Sequence, residues 1–424
     1  MTGLLVFWDQ KIVGTLTRHK GGKVVFQYDK DWMVSDGRSI SISLPCQQEK
    51  FAPGVSTAFF ENLLPESRAR SILARNHRFD KKDTFAFLNT FGEDCAGALS
   101  IIPEEKEPDF TTGHYKCIDS ELIEILNKIR KDPKNHSLYP EIKDVRLSIA
   151  GVQDKLPVYL KEGRFYLPLN SGSATTHIIK PANVDFPELT KNEAFCMALA
   201  GKSGLPVPES ELITLAGHEL YAVRRYDRIS RPDDVIERLH QEDFCQAKGY
   251  PVDRKYQETG GPGFRECREL IDEYLSDDGP DVRINVCRVM AFNYLIGNYD
   301  AHGKNFSIIH DKQLRFAPFY DLLSTQVYPA LTPRFAMAIG DTYRAERIKI
   351  HSLEKFAKTM NFRFSFLNEI IEETLTAIGS QLAPLLGEHE KQYGKSIVYD
   401  ELYETIQKNM RSMKKIQESR SISG

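Results

Sequence analysis

Residues 282–297 are apolar nearly all round, through Val282, Val286, Val289, Met290, Phe292, Leu295 and Ile296. An apolar surface that wraps the whole circumference suits a helix enclosed by other elements, not one lying on a surface. The run stops at Gly297-Asn298. A polar turn follows, NYDAHGKN, holding Asp300 and, five residues on, Asn305. FSIIHDKQLRFA then reads as a hairpin, and Asp321 stands just beyond its second strand. Whatever this chain folds into must surround that helix and expose the loops behind it.

Its length of 424 residues suggests two or three domains at roughly 100–200 residues each. Apolar residues at 41% and charged residues at 27% exclude wholesale disorder. The formal charge, 56 − 59 = −3, argues against a chain that coats nucleic acid or membrane by itself. No stretch reaches the ~18 apolar residues of a membrane span. MTGLLVFWDQKIVG lacks the marks of a secretion signal, so a cytoplasmic location is expected. The seven cysteines are scattered without a CxxC pair, which fits reduced, partly buried side chains and neither a disulfide framework nor a zinc site.

LLVFW, KIVGTLTR and KVVFQY predict a three-stranded antiparallel meander over residues 4–28. STAFFENLLPESRARSILARN predicts two amphipathic helices interrupted at Pro65, and GALSIIPEE returns to extended structure. EEKEPDFTTG at 104–113 reads as a linker, with helical spacing resuming at 118–129. Residues 146–160, 164–169 and 176–181 read as short strands. Residues 191–204 read as a helix capped near Thr190 or Asn192 and stopped by Gly204. ELITLA and ELYAVRRYD form a hairpin. From about 229 onward helical patterns dominate apart from the hairpin at 306–317, and the last 17 residues, with five basic groups, should fray.

The order Asp300, Asn305, hairpin, Asp321 is what phosphoryl transfer to a hydroxyl requires. One carboxylate accepts the hydroxyl proton, while an amide and a second carboxylate hold magnesium on the nucleotide phosphates. Spacing and order match the catalytic and metal loops of protein kinases. The His-Arg of HRD and the Phe-Gly of DFG are absent. The plainer reading is a surface turn, since Asn, Asp and Gly favour turns anyway.

Three upstream features add to it. SIAGVQDKLPV is strand, turn, strand, a place where backbone N–H groups could cover phosphates, although it lacks G-x-G-x-x-G and a one-glycine hairpin is as good a reading. Lys180 ends the strand THIIK and precedes a helix bearing Glu193, the kinase order for a phosphate-clamping lysine, against the plainer reading of a solvated strand end. YAVRRYD falls where a kinase has its hinge. HQED at 240–243 lacks the paired histidines of a metal site and reads as a helix start or core hydrogen-bonding group. His302 and His310 read as local hydrogen-bonding residues, and the elbow G-x-S-x-G is missing.

FFENLLPES, DCAGALSIIPEE, LSIAGVQDK, TTHIIKP, NEAF, HQEDFCQ, KYQETGGPG, DAHGKNFS and APFYDLLS together resemble the HipA-type toxins, serine/threonine kinases of bacterial HipBA toxin–antitoxin modules, over nearly the whole chain. The resemblance implies an α+β fold: a two-lobed protein-kinase-like core with an N-terminal β-containing domain. The divisions would be 1–110, then a β-rich lobe at 114–228, then a helical lobe at 229–424. It implies Asp300 as catalytic base, Asn305 and Asp321 as magnesium ligands, and ATP as phosphate donor. Ala150, Gly151, Val152, Gln153, Asp154 and Lys155 would form the phosphate loop. Lys180, the hinge residues Arg224, Arg225 and Tyr226, and His302, Lys304 and Tyr320 would complete the nucleotide site. Ser148 matches an autophosphorylation position that switches such enzymes off. The partners implied are a HipB-like helix-turn-helix antitoxin, operator DNA through that complex, and an aminoacyl-tRNA synthetase as substrate, with no membrane. A small-molecule kinase of related fold, or a catalytically vestigial corepressor, stays open on the residues alone.

Overall fold

A computed structural model of the chain describes residues 3–133, 136–141, 153–232, 235–275 and 279–419. Ser148, Ala150, Gly151 and Val152 lie outside the described residues. The chain forms two compact units. One comprises Met1–Pro181, Ile213–Val252 and Ile308–Gln313, the other Ala182–Leu212, Asp253–Ser307 and Leu314–Gly424.

The first unit begins with the expected meander, β1 (Leu4–Trp8), β2 (Lys11–Arg18) and β3 (Val24–Tyr28), joined on the far edge of β1 by β4 (Leu99–Pro103). All neighbours run antiparallel in the order β3-β2-β1-β4. Alternation does the sorting: Leu4, Val6, Leu16, Val24 and Phe26 have no exposed surface. Helix Pro53–Glu61 starts on a proline at its first turn and packs on β3. The chain breaks around Pro65 as read, and helix Ser67–His77 follows.

A second sheet holds β5 (Tyr115–Cys117), β6 (Leu156–Lys161), β7 (Arg164–Pro168), β8 (His177–Pro181), β9 (Ser210–Leu215) and β10 (His218–Arg224), ordered β5-β7-β6-β8-β10-β9. Ala216 and Gly217 turn the β9–β10 hairpin with positive φ at both positions, the requirement of a two-residue loop. Residues 104–113 carry no strand or helix, yet they are tied down: Gly172 donates from its N–H to Asp109 O at 3.0 Å, and Phe110 meets Phe7 edge-on at 5.3 Å.

Three short strands were not foreseen where helices were expected after 229. They are β11 (Arg228–Ser230) paired with β12 (Ile236–Arg238), then β13 (His240–Asp243). At three or four residues, rich in charge, they offer no alternation to read. HQED is core wiring, as the plainer reading had it. Asp243 caps helix Phe244–Ala247 in a capping box with Gln246. Glu242, fully buried, accepts from Ile42 N at 2.9 Å, from Ser41 Oγ, and from His310 Nε2 at 2.8 Å, so His310 bonds across the chain and not locally.

The second unit is built round helix Gly279–Ile296, enclosed as its all-round apolarity demands by helices Phe364–Tyr393 and Ile397–Glu418. Helix Leu189–Lys202 packs on both of the latter. Its cap is Glu188, in the left-handed region, and not Thr190 or Asn192. Asn192 lies inside the helix, fully buried, donating from Nδ2 to Ser324 O and accepting at Oδ1 from Ser324 N, both at 2.8 Å. The expected fraying of the tail is also corrected. Met410 and Met413 continue the buried stripe of Leu402 and Ile406, and the helix runs to Glu418. None of the seven cysteines is in a disulfide, and Cys95, Cys196, Cys245, Cys267 and Cys287 are buried. Among the described residues no helix is long and apolar enough to cross a membrane.

Candidate active site

In the second unit the buried helix ends at Gly297, whose φ is +70°; a Cβ there would lie 2.4 Å from Gln326 Oε1. Asn298, almost wholly buried, then sets the turn. Its Nδ2 donates to Asn293 Oδ1 at 3.0 Å and its Oδ1 accepts from Asp300 N at 3.1 Å. Tyr299 is buried edge-on against Phe335, with its N–H on Thr325 Oγ1 at 2.9 Å. One residue later the chain returns to the surface and Asp300 is exposed. Its Oδ1 accepts from the hydroxyl of Tyr256 at 2.9 Å.

His302 and Asn305 close a tight turn reciprocally: His302 N donates to Asn305 Oδ1 at 3.0 Å, and Asn305 N to His302 O at 2.9 Å. That turn aims Asn305 Nδ2 at Asp321 Oδ2, 3.1 Å away. Asp321 has φ +61°, an uncommon conformation for a residue with a side chain, of the kind that persists where surrounding contacts enforce it. Next to it, Tyr320 donates from its hydroxyl to Lys304 O at 2.6 Å and accepts from Ser307 Oγ at 2.7 Å, fastening the Asp321 loop to the 302–305 turn. Thus Asp300, His302, Lys304, Asn305, Tyr320 and Asp321, spread over 22 residues of sequence, form one connected loop system.

The donor set suits magnesium. Asn305 Oδ1 retains a second lone pair beyond the His302 contact, and Asp321 supplies carboxylate oxygen. Two protein oxygens are enough for an ion that keeps waters and takes substrate phosphates as its other ligands. Among the described residues no group of three or more His, Cys, Asp or Glu side chains is placed to hold a metal ion.

In the first unit Lys180 is buried, not solvated. It faces Tyr221 across the β8–β10 register, Nζ 5.8 Å from the ring centroid. Gln153, Asp154 and Lys155 precede β6, and the Asp154 carboxylate accepts from Ser137 Oγ at 2.9 Å and Leu138 N at 2.6 Å. Arg224 ends β10 with its side chain exposed, and the Tyr226 hydroxyl donates to Gln241 Oε1.

Arg225 is different. Its N–H reaches Thr176 O at 2.9 Å, while its guanidinium grips Asp227 through Nε and Nη2 at 2.9 and 2.8 Å. Arg228 completes a buried cluster, donating to Asp94 Oδ1 at 3.0 Å and Gly97 O at 2.8 Å. Burial alone would raise both carboxyls. The guanidiniums of Arg238, Arg228 and Arg225 outweigh it at Asp94, and those of Arg225 and Arg228 at Asp227, holding both below the usual carboxylate range. The Arg225 side chain is therefore committed to this buried cluster.

Comparison with known proteins now bears on these loops. A family model described as HipA-like C-terminal domain matches residues 147–382, and one described as HipA N-terminal domain matches residues 4–102. The chain belongs to the HipA family. A HipA relative from Shewanella oneidensis, named serine/threonine-protein kinase toxin HipA, is 31% identical over 386 residues, covering 86% of each chain. A Sinorhizobium fredii protein named "Putative kinase Y4mE" is 37% identical over 398 residues, 92% of this chain and 93% of that one. The solved Shewanella oneidensis complex of HipA, HipB and operator DNA aligns at a TM-score of 0.82, with 24% identity over 96% of this chain and 95% of that one. The HipA fold, α+β and kinase-like, is thereby shared.

Tyr256 is the residue of this loop system that sequence order could not supply, since it lies 44 positions from Asp300. The available signal was its place inside KYQETGGPG, a turn too glycine-rich to be incidental.

Proposed function

We propose that this chain is a protein serine/threonine kinase using ATP and magnesium, the toxin of a HipBA-type pair. The observation that carries the reading is the exposed Asp300 on the same hydrogen-bonded loop system as the Asn305–Asp321 pair. Family membership and the names of the two relatives support it.

On this reading Asp300 takes the proton of the acceptor hydroxyl as that oxygen attacks the γ-phosphorus and ADP departs. Asn305 and Asp321 would hold magnesium, which when bound neutralises charge on the transferring phosphates. The buried ammonium of Lys180, the phosphate loop 150–155 and the hinge backbone at 224–226 would contact the nucleotide, with His302, Lys304 and Tyr320 shaping its site. The three divisions 1–110, 114–228 and 229–424 belong to the same reading, as does a cytoplasmic location.

The make-up of the Shewanella complex, HipA together with HipB and operator DNA, supports a HipB-like helix-turn-helix antitoxin as partner and operator DNA bound through it. An aminoacyl-tRNA synthetase is the proposed acceptor. Ser148 is proposed as the self-inactivation site: a phosphate adds about −1.5 to −2 charge beside a loop meant for ATP phosphates. Mass spectrometry of the chain after incubation with magnesium ATP tests activity and this site together. Transfer to neither the chain nor any acceptor protein would refute the kinase reading; transfer that persists at full extent in Ser148→Ala would refute the site.

A further inference from the structure

The hydroxyl of Tyr256 donates to Oδ1 of Asp300 at 2.9 Å, and the roles assigned above make no use of it. A carboxylate on an exposed turn rotates easily about its last torsion, which is broad for Asp. A fixed donor on one oxygen restricts that freedom and sets the orientation of the carboxylate.

We propose that Tyr256 is a positioning residue for the catalytic base. The proposal rests on the reading of Asp300 as that base. Tyr256 is itself held by the loops it serves. Lys255 O, immediately before it, accepts from Gly303 N at 3.2 Å, and the Tyr256 ring meets His302 edge-on at 5.3 Å. Gln257, immediately after it, donates from N to Ala336 O at 3.1 Å and accepts from Ala338 N at 2.7 Å, while Ala336 N reaches Tyr299 O at 2.8 Å. The backbone on both sides of Tyr256 is thus tied to the backbone on both sides of Asp300. The glycines of KYQETGGPG make the delivery possible. Gly260 has φ +86°, Gly261 N bonds Tyr256 O at 2.9 Å, and a Cβ on Gly261 would lie 2.2 Å from Arg254 O. A half-exposed tyrosine could satisfy its hydroxyl with water; here a closed turn presents it to one carboxylate oxygen.

The test is Tyr256→Phe, which keeps the ring and removes only the hydroxyl. Single-turnover transfer of labelled phosphate from magnesium ATP is followed on the chain itself and on casein as a generic acceptor. In parallel, calorimetry gives the affinity and stoichiometry for a non-hydrolysable ATP analogue. The expected result is a rate about tenfold lower, the effect of one charge-assisted hydrogen bond, with analogue affinity, stoichiometry and melting temperature unchanged. A rate within twofold of the parent, while Asp300→Asn abolishes transfer, overturns the positioning role and spares the base. A loss of rate matched by loss of analogue-binding stoichiometry or of melting temperature also overturns it, as that is a folding effect. Wild-type transfer by Asp300→Asn defeats the base assignment and this proposal with it.

Discussion

Asn305 Nδ2 lies 3.1 Å from Asp321 Oδ2, a bond that, with the Tyr320 hydroxyl on Lys304 O, joins two loops that flank a hairpin. Because Asn305 Oδ1 is simultaneously engaged by His302 N, the amide cannot rotate without breaking the 302–305 turn. The geometry of Asp321 and that of the turn carrying Asp300 are therefore mechanically linked.

Asp321→Ala should abolish the magnesium dependence of ATP affinity, since it removes a carboxylate from the proposed metal site. Calorimetric titration of ATP at several magnesium concentrations reads this directly. An unchanged magnesium response would make Asp321 a structural residue.

Asp300→Asn keeps the size of the side chain and loses the base. Phosphoryl transfer should fall by at least about a hundredfold, while nucleotide affinity holds. Parent-level turnover would remove Asp300 from the mechanism.

Asp94 is buried against Arg228 at 3.0 Å, with Arg225 at 3.9 Å and Arg238 at 3.7 Å. Asp94→Ala leaves Arg225 and Arg228 sharing the carboxylate of Asp227 and removes the carboxylate 3.7 Å from Arg238. A loss of about 3–5 kcal/mol in urea unfolding is expected, the cost of an uncompensated buried charge. A loss below about 1 kcal/mol would show that water enters the cluster.

His240 has no exposed surface; its Nε2 donates to Ile40 O at 2.7 Å and its Nδ1 accepts from Ala98 N at 3.4 Å. Burial first, and then neighbouring His310, push the imidazole down to about 3 from an ordinary 6.5. Between those values the unfolded chain binds a proton that the folded chain refuses. Stability is thus complete above about pH 6.5 and is lost as pH falls toward 3, by about 1.4 kcal/mol per pH unit for one proton. His389, pushed by burial to about 4, adds a loss of the same sign. Asp94 and Asp227 matter only at lower pH, because depressed carboxyls lose their contribution below about pH 4. Urea unfolding at about pH 7 and about pH 5 should show the drop, and His240→Gln should flatten it by close to one proton. An unaltered slope in that variant would assign the drop elsewhere.

With a net charge of −3, the isolated chain should bind duplex DNA weakly, having little drive from counterion release. A gel-shift experiment showing tight, sequence-specific binding without an antitoxin would overturn this.

Local patterns were legible wherever one face of an element is buried and the other is wet. The meander declared itself through Leu4, Val6, Val24 and Phe26, and the central helix through apolarity all round. The Asp300–Asn305–Asp321 order was legible because its parts are close in sequence. What escaped was set by distant partners. The buried cluster of Arg225 and Arg228 has no local signal, because Cys95 O and Asp94, which bond them, lie 130 and 134 residues away in sequence. Asn192 looks like a cap until Ser324 arrives to bond it inside the helix. The tail looks frayed because its basic residues mask the spacing of Met410 and Met413. Tyr256 has no local reason to meet Asp300 at all.

Each compact unit is assembled from three separated stretches of chain, and that has a consequence on the ribosome. When Pro181 has emerged, β8 has β6 on one side, but the edge meant for β10 is bare. The Ile42–Glu242 bond must wait for 200 further residues, roughly 10–40 s of synthesis. From Pro181 to Arg224, 43 residues or roughly 2–9 s of synthesis, the nascent chain carries an open strand edge, a template for pairing with its neighbours on the same polysome. Producing this protein in quantity therefore sets completion of the chain in a race against association of its unfinished copies.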